Sequence, residues 1–582
     1  MMVRGTGTAG GAEMGEAVRV PSGGIPARPW LAAYPSDVPA EIDADRLGTL
    51  ADLFATASAR FAERPAVRCF GATLSFADLK EGAEAFAGWL QAHGIRKGDR
   101  VALMLPNVPT YPIALFGTLI AGAIAVNVNP LYTARELIHQ VADAGARVLV
   151  VLENFASVVA EALPSLPELE MVAVAGAGDG IGLRGALVTL AARHLKKAVP
   201  AYSLPPGRST SFRATLAAGR KAGFRPVAIE PGDLAFLQYT GGTTGVSKGA
   251  MLTHRNVMAN IEQSRVWFGM RDDEGAGRVM VTALPLYHIY GLTCCFFFMV
   301  RLGACCLFVP NPRDIPGFVK LLRTNRFTNL SGVNTLFNAL LNHPDIGKVD
   351  WSMLEFANAG GMAVQAVVAR RWKALTGKPI IEGYGLSETA PVVSINPRGL
   401  SEWSGTIGYP VPSTEVSVRD PNGAEVPVGE AGELYVRGPQ VMPGYWRRPA
   451  ETAKVMTPDG YFRTGDVAVL QPDGQLRLVD RLKDMILVSG FNVYPNEVED
   501  VLATHPGVLE VAVVGRPMPE CGEMVIAHVV PRDPGLTADA LRTFARKSLT
   551  AYKVPREFVF HETLPKSNVG KVLRRELRDG AP

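Results

Sequence analysis

The sequence predicts an α/β protein: a large N-terminal domain of two βα-layered subdomains plus a small β-barrel, followed by a small, mobile α+β C-terminal domain. The chain has 582 residues, of which 47% are hydrophobic and 20% charged, so it can bury several separate cores. Apolar runs of strand length alternate with helical patterns over the first two thirds of the chain. Short strands between Pro and Gly turns follow them.

Composition and charge exclude several classes of protein. The 59 Lys and Arg against 55 Asp and Glu leave a net charge of +4, too small a surplus for a polyanion-binding surface, so nucleic acid is excluded as the main partner. Residues 1–28 lack the apolar stretch of a secretory signal, and we expect a flexible N-terminal extension there. The longest apolar segments, residues 113–126 and 291–300, are shorter than the roughly 20 residues of a membrane-spanning helix. We therefore expect a cytoplasmic protein.

The predicted large domain, residues 29–480, begins with two series of alternating strands and helices. The first series has predicted strands at residues 100–105, 123–128, 147–152 and 171–175 and helices at 76–93 and 134–144. The second has predicted strands at residues 234–239, 279–283, 305–309 and 379–382. This alternation is typical of mostly parallel sheets covered by helices.

The pattern changes in the last third of the chain. Between residues 403 and 471, short strands lie between turns of the type Pro-Asn-Gly and Pro-Asp-Gly, as a small β-barrel requires. Residues 481–484 are a compact charged segment. Residues 485–582 are predicted to form the separate C-terminal domain.

A loop rich in glycine and threonine follows the predicted strand 234–239. Residues 240–249 contain four glycines, three threonines and Lys248. Glycines let backbone N–H groups turn toward one point, hydroxyls add donors and the lysine adds charge, a combination that suits a polyphosphate. The loop is not a Walker A motif, because Lys248 follows Gly245 by three positions rather than one.

Two short patterns point to other enzyme classes. Residues 245–249 match the nucleophile elbow of hydrolases, with Ser247 as the nucleophile, but the match lies at the far end of the glycine loop. Residues 180–185 match the glycine pattern of dinucleotide-binding sites. No acidic residue follows between Asp179 and Glu230 to hold a ribose, so we interpret this segment as a loop.

Five motifs in order carry a resemblance to a known family. They are residues 240–249, 382–388 (EGYGLSE), 461–466 (YFRTGD), 480–484 (DRLKD) and 564–571 (LPKSNVGK). Together they resemble the acyl-adenylate-forming superfamily. Within it, residues 127–132, 283–288, 311–316 and 484–495 resemble bacterial long-chain fatty-acid–CoA ligases, and the resemblance covers residues 29–579.

The resemblance implies a reaction in two halves. A fatty-acid carboxylate attacks the α-phosphate of ATP to give acyl-AMP and pyrophosphate, and the thiol of coenzyme A then displaces AMP. The implied cofactors are ATP, Mg²⁺ and coenzyme A. Bringing a carboxylate onto a triphosphate demands concentrated positive potential and preorganised donors.

The resemblance assigns catalytic roles to three residues. Lys571 is the implied adenylation lysine, whose ammonium bridges carboxylate and α-phosphate oxygens in the transition state. Glu388 is the implied Mg²⁺ ligand, since a hard cation takes carboxylate and phosphate oxygens. Ser387 offers its hydroxyl to the α-phosphate. The family more often has Thr at this position, and Ser keeps the hydroxyl.

The resemblance also implies a nucleotide site. Tyr384 stacks on adenine, Asp466 accepts from the ribose hydroxyls and Arg481 reaches ribose or phosphate. The implied site for the β- and γ-phosphates comprises Thr240, Gly241, Gly242, Thr243, Thr244, Gly245 and Lys248. The other residues implied around the nucleotide are Gly360, Gly361, Glu382 and Gly383.

Two further regions follow from the resemblance. Lys483 is the implied hinge, about which the small domain rotates to bring Gly490 and Phe491 against the pantetheine of coenzyme A. His288 and Phe296 are implied to form the wall of the acyl pocket. Because aromatic stripes are equally typical of a plain core, both interpretations of Phe296 stay open.

Two alternatives to a CoA ligase remain. A fatty-acyl-AMP ligase would pass the acyl group to a carrier protein instead of coenzyme A. A membrane-surface protein for fatty-acid binding or uptake is suggested by residues 183–200, where basic and apolar residues interleave. A pure binding protein needs neither Lys571 nor Glu388, so their presence favours the enzyme. A peripheral contact at the inner membrane face and a homodimer are left open.

Overall fold

The structure is a computed structural model that describes residues 28–195, 197–240, 247–567 and 570–580. The predicted N-terminal extension therefore lies outside the described residues, except for Arg28. The described strands are β1 (Pro65–Cys69), β2 (Ala72–Ser75), β3 (Arg100–Met104), β4 (Ile124–Asn127), β5 (Ala146–Leu152), β6 (Met171–Ala175), β7 (Ser209–Ser211), β8 (Leu234–Thr240), β9 (Lys248–Thr253), β10 (Val279–Thr282), β11 (Cys305–Phe308), β12 (Asn329–Gly332), β13 (Phe356–Gly360), β14 (Ile380–Gly385), β15 (Val392–Ile395), β16 (Tyr409–Pro410), β17 (Glu415–Arg419), β18 (Ala431–Arg437), β19 (Phe462–Leu470), β20 (Leu476–Arg481), β21 (Ile486–Val488), β22 (Phe491–Val493), β23 (Val508–Met518), β24 (Gly522–Pro531) and β25 (Glu557–Phe560).

The helices pack on both faces of the larger sheets. The described helices are α1 (Leu50–Arg60), α2 (Phe76–Ala92), α3 (Thr110–Ile120), α4 (Ala134–Ala144), α5 (Ala156–Ala162), α6 (Gly182–Leu190), α7 (Phe212–Ala222), α8 (His254–Trp267), α9 (Phe298–Leu302), α10 (Ile315–Thr324), α11 (Asn334–Leu341), α12 (Ala366–Thr376), α13 (Pro449–Val455), α14 (Pro495–Ala503), α15 (Ala538–Ala545) and α16 (Arg574–Asp579). Capping boxes begin α2 at Ser75 and α4 at Thr133, where the cap hydroxyl accepts from a backbone N–H that the helix leaves unpaired. Across the described ranges, no helix is long and apolar enough to cross a membrane.

The first subdomain contains a seven-stranded sheet in the order β7-β6-β5-β3-β4-β8-β9. All neighbouring strands are parallel except β8 and β9. The predicted strands 100–105, 123–128, 147–152 and 171–175 are confirmed as β3 to β6. The strand β8 was predicted in the second series, yet it pairs with β4 in the first sheet.

The glycine loop connects two strands of the first sheet. Residues 248–253 form β9, which pairs antiparallel with β8 and brings Lys248 opposite Thr240. The helix α8 begins only after this strand, with Thr253 as its N-cap. Both rims of the loop are therefore held by the sheet.

The second subdomain contains a nine-stranded sheet in the order β16-β15-β14-β13-β12-β10-β11-β1-β2. Its central strands are parallel, and its two edges are antiparallel. Buried polar side chains join the two subdomains. The amide of Asn107 donates to the carbonyls of Thr282 and Leu284, both at 2.9 Å, and the hydroxyl of Tyr111 donates to the carbonyl of Leu286 at 2.8 Å.

The region predicted as a small β-barrel is a four-stranded antiparallel sheet in the order β17-β18-β19-β20. Four strands are too few to enclose a packed interior, so the sheet buries one face against the two subdomains. The last strand, β20, ends at Arg481, where the predicted hinge begins.

The C-terminal domain has its own sheet, in the order β22-β21-β24-β23, with β25 parallel to β24. The helices α14 and α15 cover one face, around a separate core that contains Val513 and Leu541. An α+β composition for this domain is therefore confirmed.

Candidate active site

A cavity of about 2500 Å³ lies where the two large sheets, the four-stranded sheet and the small domain meet. The predicted site residues that line it are Thr240, Lys248, His288, Gly360, Gly361, Glu382, Gly383, Tyr384, Ser387, Glu388, Asp466, Arg481, Lys483 and Lys571. Gly241, Gly242, Thr243, Thr244 and Gly245 lie outside the described residues. Residues that are far apart in sequence and belong to four sheets are thus brought to one cavity.

A fixed carboxylate lies at the centre of the cavity wall. Asp466 is buried on β19, directly opposite Arg481 of β20. It accepts a hydrogen bond from the hydroxyl of Tyr384 at 2.6 Å and pairs with Nε of Arg481 at 3.1 Å. The carboxylate of Asp466 raises the pKa of the Arg481 guanidinium. The arrangement presents an oriented acceptor with a cation beside it.

Glu388 lies in the short turn that follows β14. Its buried carboxylate accepts a hydrogen bond from the hydroxyl of Tyr445 at 2.8 Å. Burial raises the pKa of Glu388, since no cation contacts it among the described residues. Sequence reasoning missed Tyr445, because it lies 57 residues away in a segment with no recognised motif.

Lys571 extends from the small domain into the cavity of the large domain. The hydroxyl of Thr335 donates to the carbonyl of Gly570 at 2.9 Å and holds the turn that carries the lysine. A Cβ on Gly361 would stand 3.3 Å from Cε and 3.7 Å from Nζ of Lys571, so the glycine leaves room for the side chain. Burial and the charge of Arg481 lower the pKa of Lys571 to about 8.

Lys248 lies at the rim of the glycine loop. Its Nζ pairs with a carboxylate oxygen of Glu451 at 2.7 Å and stands 5.1 Å from the ring centre of Tyr445. The lysine holds the pKa of Glu451 at about 2. Ser247, the nucleophile of the hydrolase alternative, donates its hydroxyl to the carbonyl of Thr240 at 2.7 Å. That bond is not the bond to a general base that a nucleophile needs.

Glu382 holds two loops of the cavity wall. Its carboxylate accepts from the backbone N–H of Val364 at 2.9 Å and from the indole N–H of Trp403 at 2.5 Å. Burial raises the pKa of Glu382 to about 7. These contacts place Glu382 as a support for the segment that contains Gly360 and Gly361.

The two predicted acyl-pocket residues lie in different places. His288 lines the cavity, where burial and the charge of Lys571 lower its pKa to about 3. Phe296 lies in a π-helical segment, Gly291–Phe297, and is fully buried. Its ring packs 5.7 Å from that of Phe116 in the core behind the cavity.

The predicted coenzyme A residues lie away from the cavity. Gly490 adopts a φ of 83° in the β21–β22 turn, with no atom within 4 Å of the position of a Cβ. Phe491 is 56% exposed and stacks on Tyr552 of its own domain, with ring centres 4.8 Å apart. The cavity faces the part of the small domain that carries Lys571.

A half-buried arginine, which sequence reasoning missed, contacts both domains at this position. Arg574 binds both oxygens of Glu499 at 2.8 and 2.9 Å. It also lies 3.5 Å from Asp480 of the large domain and 3.6 Å from Asp484 of the hinge. Its only signal in the sequence was its position three residues after Lys571.

The predicted hinge lies directly at this contact. The backbone N–H of Leu482 donates to the carbonyl of Gly465 at 3.0 Å, and the N–H of Asp484 donates to the carbonyl of Arg481 at 3.0 Å. Lys483 faces the cavity between them, and burial lowers its pKa.

The cavity lies between the large domain and a small C-terminal domain that has its own core. Residues 54–446 match the family model of the AMP-binding enzymes, and residues 497–571 match the model of the AMP-binding enzyme C-terminal domain. The chain belongs to the AMP-binding enzyme family.

Individual relatives and solved structures are similar to this chain over most of its length. A long-chain-fatty-acid–CoA ligase of Salmonella typhimurium is 52% identical over 95% of this chain and 98% of its own. One of Bacillus subtilis is 37% identical over 94% and 97%. The crystal structure of an anthranilate CoA ligase in complex with anthranoyl-AMP matches with a TM-score of 0.80 at 25% identity, over 94% of this chain and 98% of that one.

Proposed function

We propose that this enzyme activates long-chain fatty acids to coenzyme A thioesters through an acyl-AMP intermediate, with ATP consumed and AMP and pyrophosphate released. Curated relatives named long-chain-fatty-acid–CoA ligases are 46–52% identical to this protein over most of the chain. The observation that carries the first half-reaction is the position of Lys571. Its ammonium lies in the cavity beside Gly361. The negative charges of Asp466 and Glu388 interact favourably with this ammonium.

The nucleotide would bind at the C-terminal end of β14, where Tyr384 lies. Asp466 would accept from the ribose hydroxyls, since Tyr384 and Arg481 already fix its orientation. The ring of Tyr384 would stack on the adenine, opposite the segment that contains Gly360 and Gly361. Thr240 and Lys248 at the rim of the glycine loop would meet the phosphates, for which Lys248 must release Glu451.

Lys571 would stabilise the charge that develops when the carboxylate attacks the α-phosphate. A lysine in a preorganised position, with little water around it, acts more strongly than one in solution. Ser387, at the end of β14, would donate its hydroxyl to the same phosphate. His288, which its low pKa keeps neutral, would mark the entrance of the acyl chain. Ile289 and Tyr290, which also line the cavity, would begin the wall of the acyl pocket.

The residues present fit a Mg²⁺ ion bound together with ATP. Glu388 is a buried carboxylate with a raised pKa, which a cation would lower and stabilise in its charged form. No group of three acidic, His or Cys residues suited to hold a metal occurs in the described part of the chain. The ion would therefore take one protein carboxylate and otherwise phosphate and water oxygens, as Mg²⁺ commonly does.

The second half-reaction would need the other face of the small domain. Rotation at Lys483 would withdraw Lys571 and bring Gly490 and Phe491 to the cavity, where coenzyme A would enter.

A fatty-acyl-AMP ligase remains as the second candidate, since it shares every step up to acyl-AMP. We place the enzyme in the cytoplasm, where ATP and coenzyme A are supplied, and leave homodimer formation as an alternative to a monomer.

The test is AMP release by purified protein with ATP and Mg²⁺, with and without coenzyme A, over acids from short to very long chains. We expect the highest specificity for long chains such as palmitate and oleate, and a thioester product only when coenzyme A is present. Accumulation of acyl-AMP with no thioester would favour the carrier-protein alternative. A preference for an aromatic acid would overturn the substrate and leave the adenylation chemistry standing.

A further inference from the structure

The helix α6 and the π-helical turn that continues it, Ala191–Leu195, have an apolar outer face. The inner face is seated very closely on the first subdomain. A Cβ on Gly185 would stand 1.8 Å from the carbonyl oxygen of Gly178, and Thr189, one turn later, accepts from the N–H of Gly178 at 3.1 Å. Because Gly185 and Thr189 fix which face points inward, the opposite face is fixed as well.

Leucines occupy that outer face. Leu183, Leu187 and Leu190 are 90%, 66% and 55% exposed and follow the spacing of one helix face, and Leu195 is 83% exposed in the turn beyond. The patch continues onto the β1–β2 turn, where Phe70 is also exposed, since Arg184 donates to the carbonyl of Gly71 at 2.7 Å. Soluble monomers seldom leave so many large apolar side chains together in water.

The segment of the sequence that contains this face has only basic charged residues. Residues 180–229 contain nine Lys and Arg and no Asp or Glu. Three of the arginines pair with acids outside this segment: Arg193 with Glu153 and Arg213 with Asp179, both at 2.6 Å, and Arg220 with Glu81 at 2.9 Å. Lys197 lies exposed just beyond the leucines. An apolar ridge with a basic border is complementary to an anionic phospholipid surface.

We infer that this outer face, residues 183–195 with Phe70, docks on membranes that contain anionic phospholipids. The leucines would enter the boundary between headgroups and acyl chains, and the basic residues would meet the phosphates. A second copy of the chain is a poorer occupant, because it would bring its own exposed cations, such as Lys197, against those of the first copy. A ridge rather than a groove is also a poor receptor for a peptide segment.

The inference is independent of the proposed function, because docking requires neither ATP nor coenzyme A. Docking would place the enzyme at the bilayer, into which long-chain fatty acids, its proposed substrates, partition. The helix belongs to the large domain, so docking would leave the small domain and its hinge unconstrained.

The test is sedimentation of the full-length protein with vesicles of phosphatidylcholine containing roughly a third phosphatidylglycerol, and with vesicles of phosphatidylcholine alone. We expect binding to the anionic vesicles that weakens with salt. The double variant Leu183→Gln/Leu187→Gln should lower the partition coefficient at least about tenfold, because it removes two large apolar side chains from the membrane contact. Met353→Gln, at a residue that is 41% exposed on the second subdomain, is the matched control and should bind as the wild type.

A thermal unfolding midpoint within a few degrees of the wild type shows that the double variant is folded. Equal binding of the double variant and the wild type to anionic vesicles would overturn the inference. So would absence of binding by the wild type, or binding that does not distinguish anionic from neutral vesicles. A wild-type dimer that the double variant dissociates, with no vesicle binding by either, would show that the face joins two copies of the chain instead.

Discussion

The two faces of the small domain contrast sharply. The face with Lys571 is inserted into the cavity and held by Arg574, which contacts acids of both domains and of the hinge. The face with Gly490 and Phe491 points away, with Phe491 more than half exposed on a stack that involves only its own domain. Under the proposed roles, this arrangement is the one that adenylation requires. The thioester step would then require the second face to replace the first.

The most severe test of this contrast is Lys571→Ala. We expect adenylation, measured as acid-dependent pyrophosphate exchange, to fall by ~10²-fold or more, as when a single transition-state donor is removed. Thioester formation from supplied acyl-AMP and coenzyme A should survive far better, because that step uses the other face. Equal damage to both halves would contradict the division of labour.

A proline at the hinge should separate the halves in the opposite sense. Proline fixes φ near −65° and restricts the residue before it, so Lys483→Pro should hold the small domain in the docked arrangement. We expect pyrophosphate exchange to persist while thioester formation from acyl-AMP falls at least about tenfold, the usual scale for a blocked conformational step. A folded variant that runs both halves normally would move the pivot elsewhere in residues 479–485.

The pH dependence of adenylation should reveal the environment of Lys571. Its pKa lies near 8, well below that of a free lysine, so the ammonium is lost as the pH rises through that value. We expect kcat/KM for adenylation to fall above about pH 8, by up to roughly tenfold per pH unit. In Lys571→Arg the guanidinium stays charged, and the alkaline fall should disappear even if the overall rate is lower. A fall of the same shape in both enzymes would assign it to another group.

The smallest effect is expected at the rim of the glycine loop. In Ser247→Ala the hydrogen bond to the carbonyl of Thr240 is lost, a contribution of about 1 kcal/mol to local stability. Both half-reactions should stay within about threefold of the wild type, as expected for a group outside the chemistry. Complete loss of activity would revive the hydrolase alternative, which requires Ser247 as the nucleophile.

The sequence predicted the strands of the first sheet well, because runs such as residues 147–152 are apolar on both faces and bounded by helices. It placed β8 in the wrong series and missed β9, since pairing between distant strands leaves no local period. All described residues of the implied nucleotide site line the cavity, and the ordered motifs had pointed to them together. Phe296 shows the limit, as an aromatic run has the same pattern in a core as in a pocket wall.

The position of the small domain could not be predicted at all. Arg574 and Asp480 are 94 residues apart, and nothing in either segment indicates that they meet. The same holds for Trp403, whose indole fixes Glu382, and for Tyr445 beside Glu388. Such contacts depend on how finished domains fit together, and periodicity and motif spacing carry no information on that fit.

A reversible cross-link across the docked contact tests the two-face account most directly. A Cβ at residue 570 would stand 2.9 Å from the hydroxyl oxygen of Thr335, so Thr335→Cys/Gly570→Cys places two cysteines within the short reach of a disulfide. Gly570 has a φ of 82°, which strains any other residue, so the reduced double variant is the reference.

The wild type, whose six cysteines are unpaired, is the control for oxidation itself. We predict that the oxidised, cross-linked enzyme retains pyrophosphate exchange, loses thioester formation from acyl-AMP, and regains it on reduction. Thioester formation at the reduced rate by the fully cross-linked enzyme would show that coenzyme A reacts without any exchange of faces, and would contradict the account.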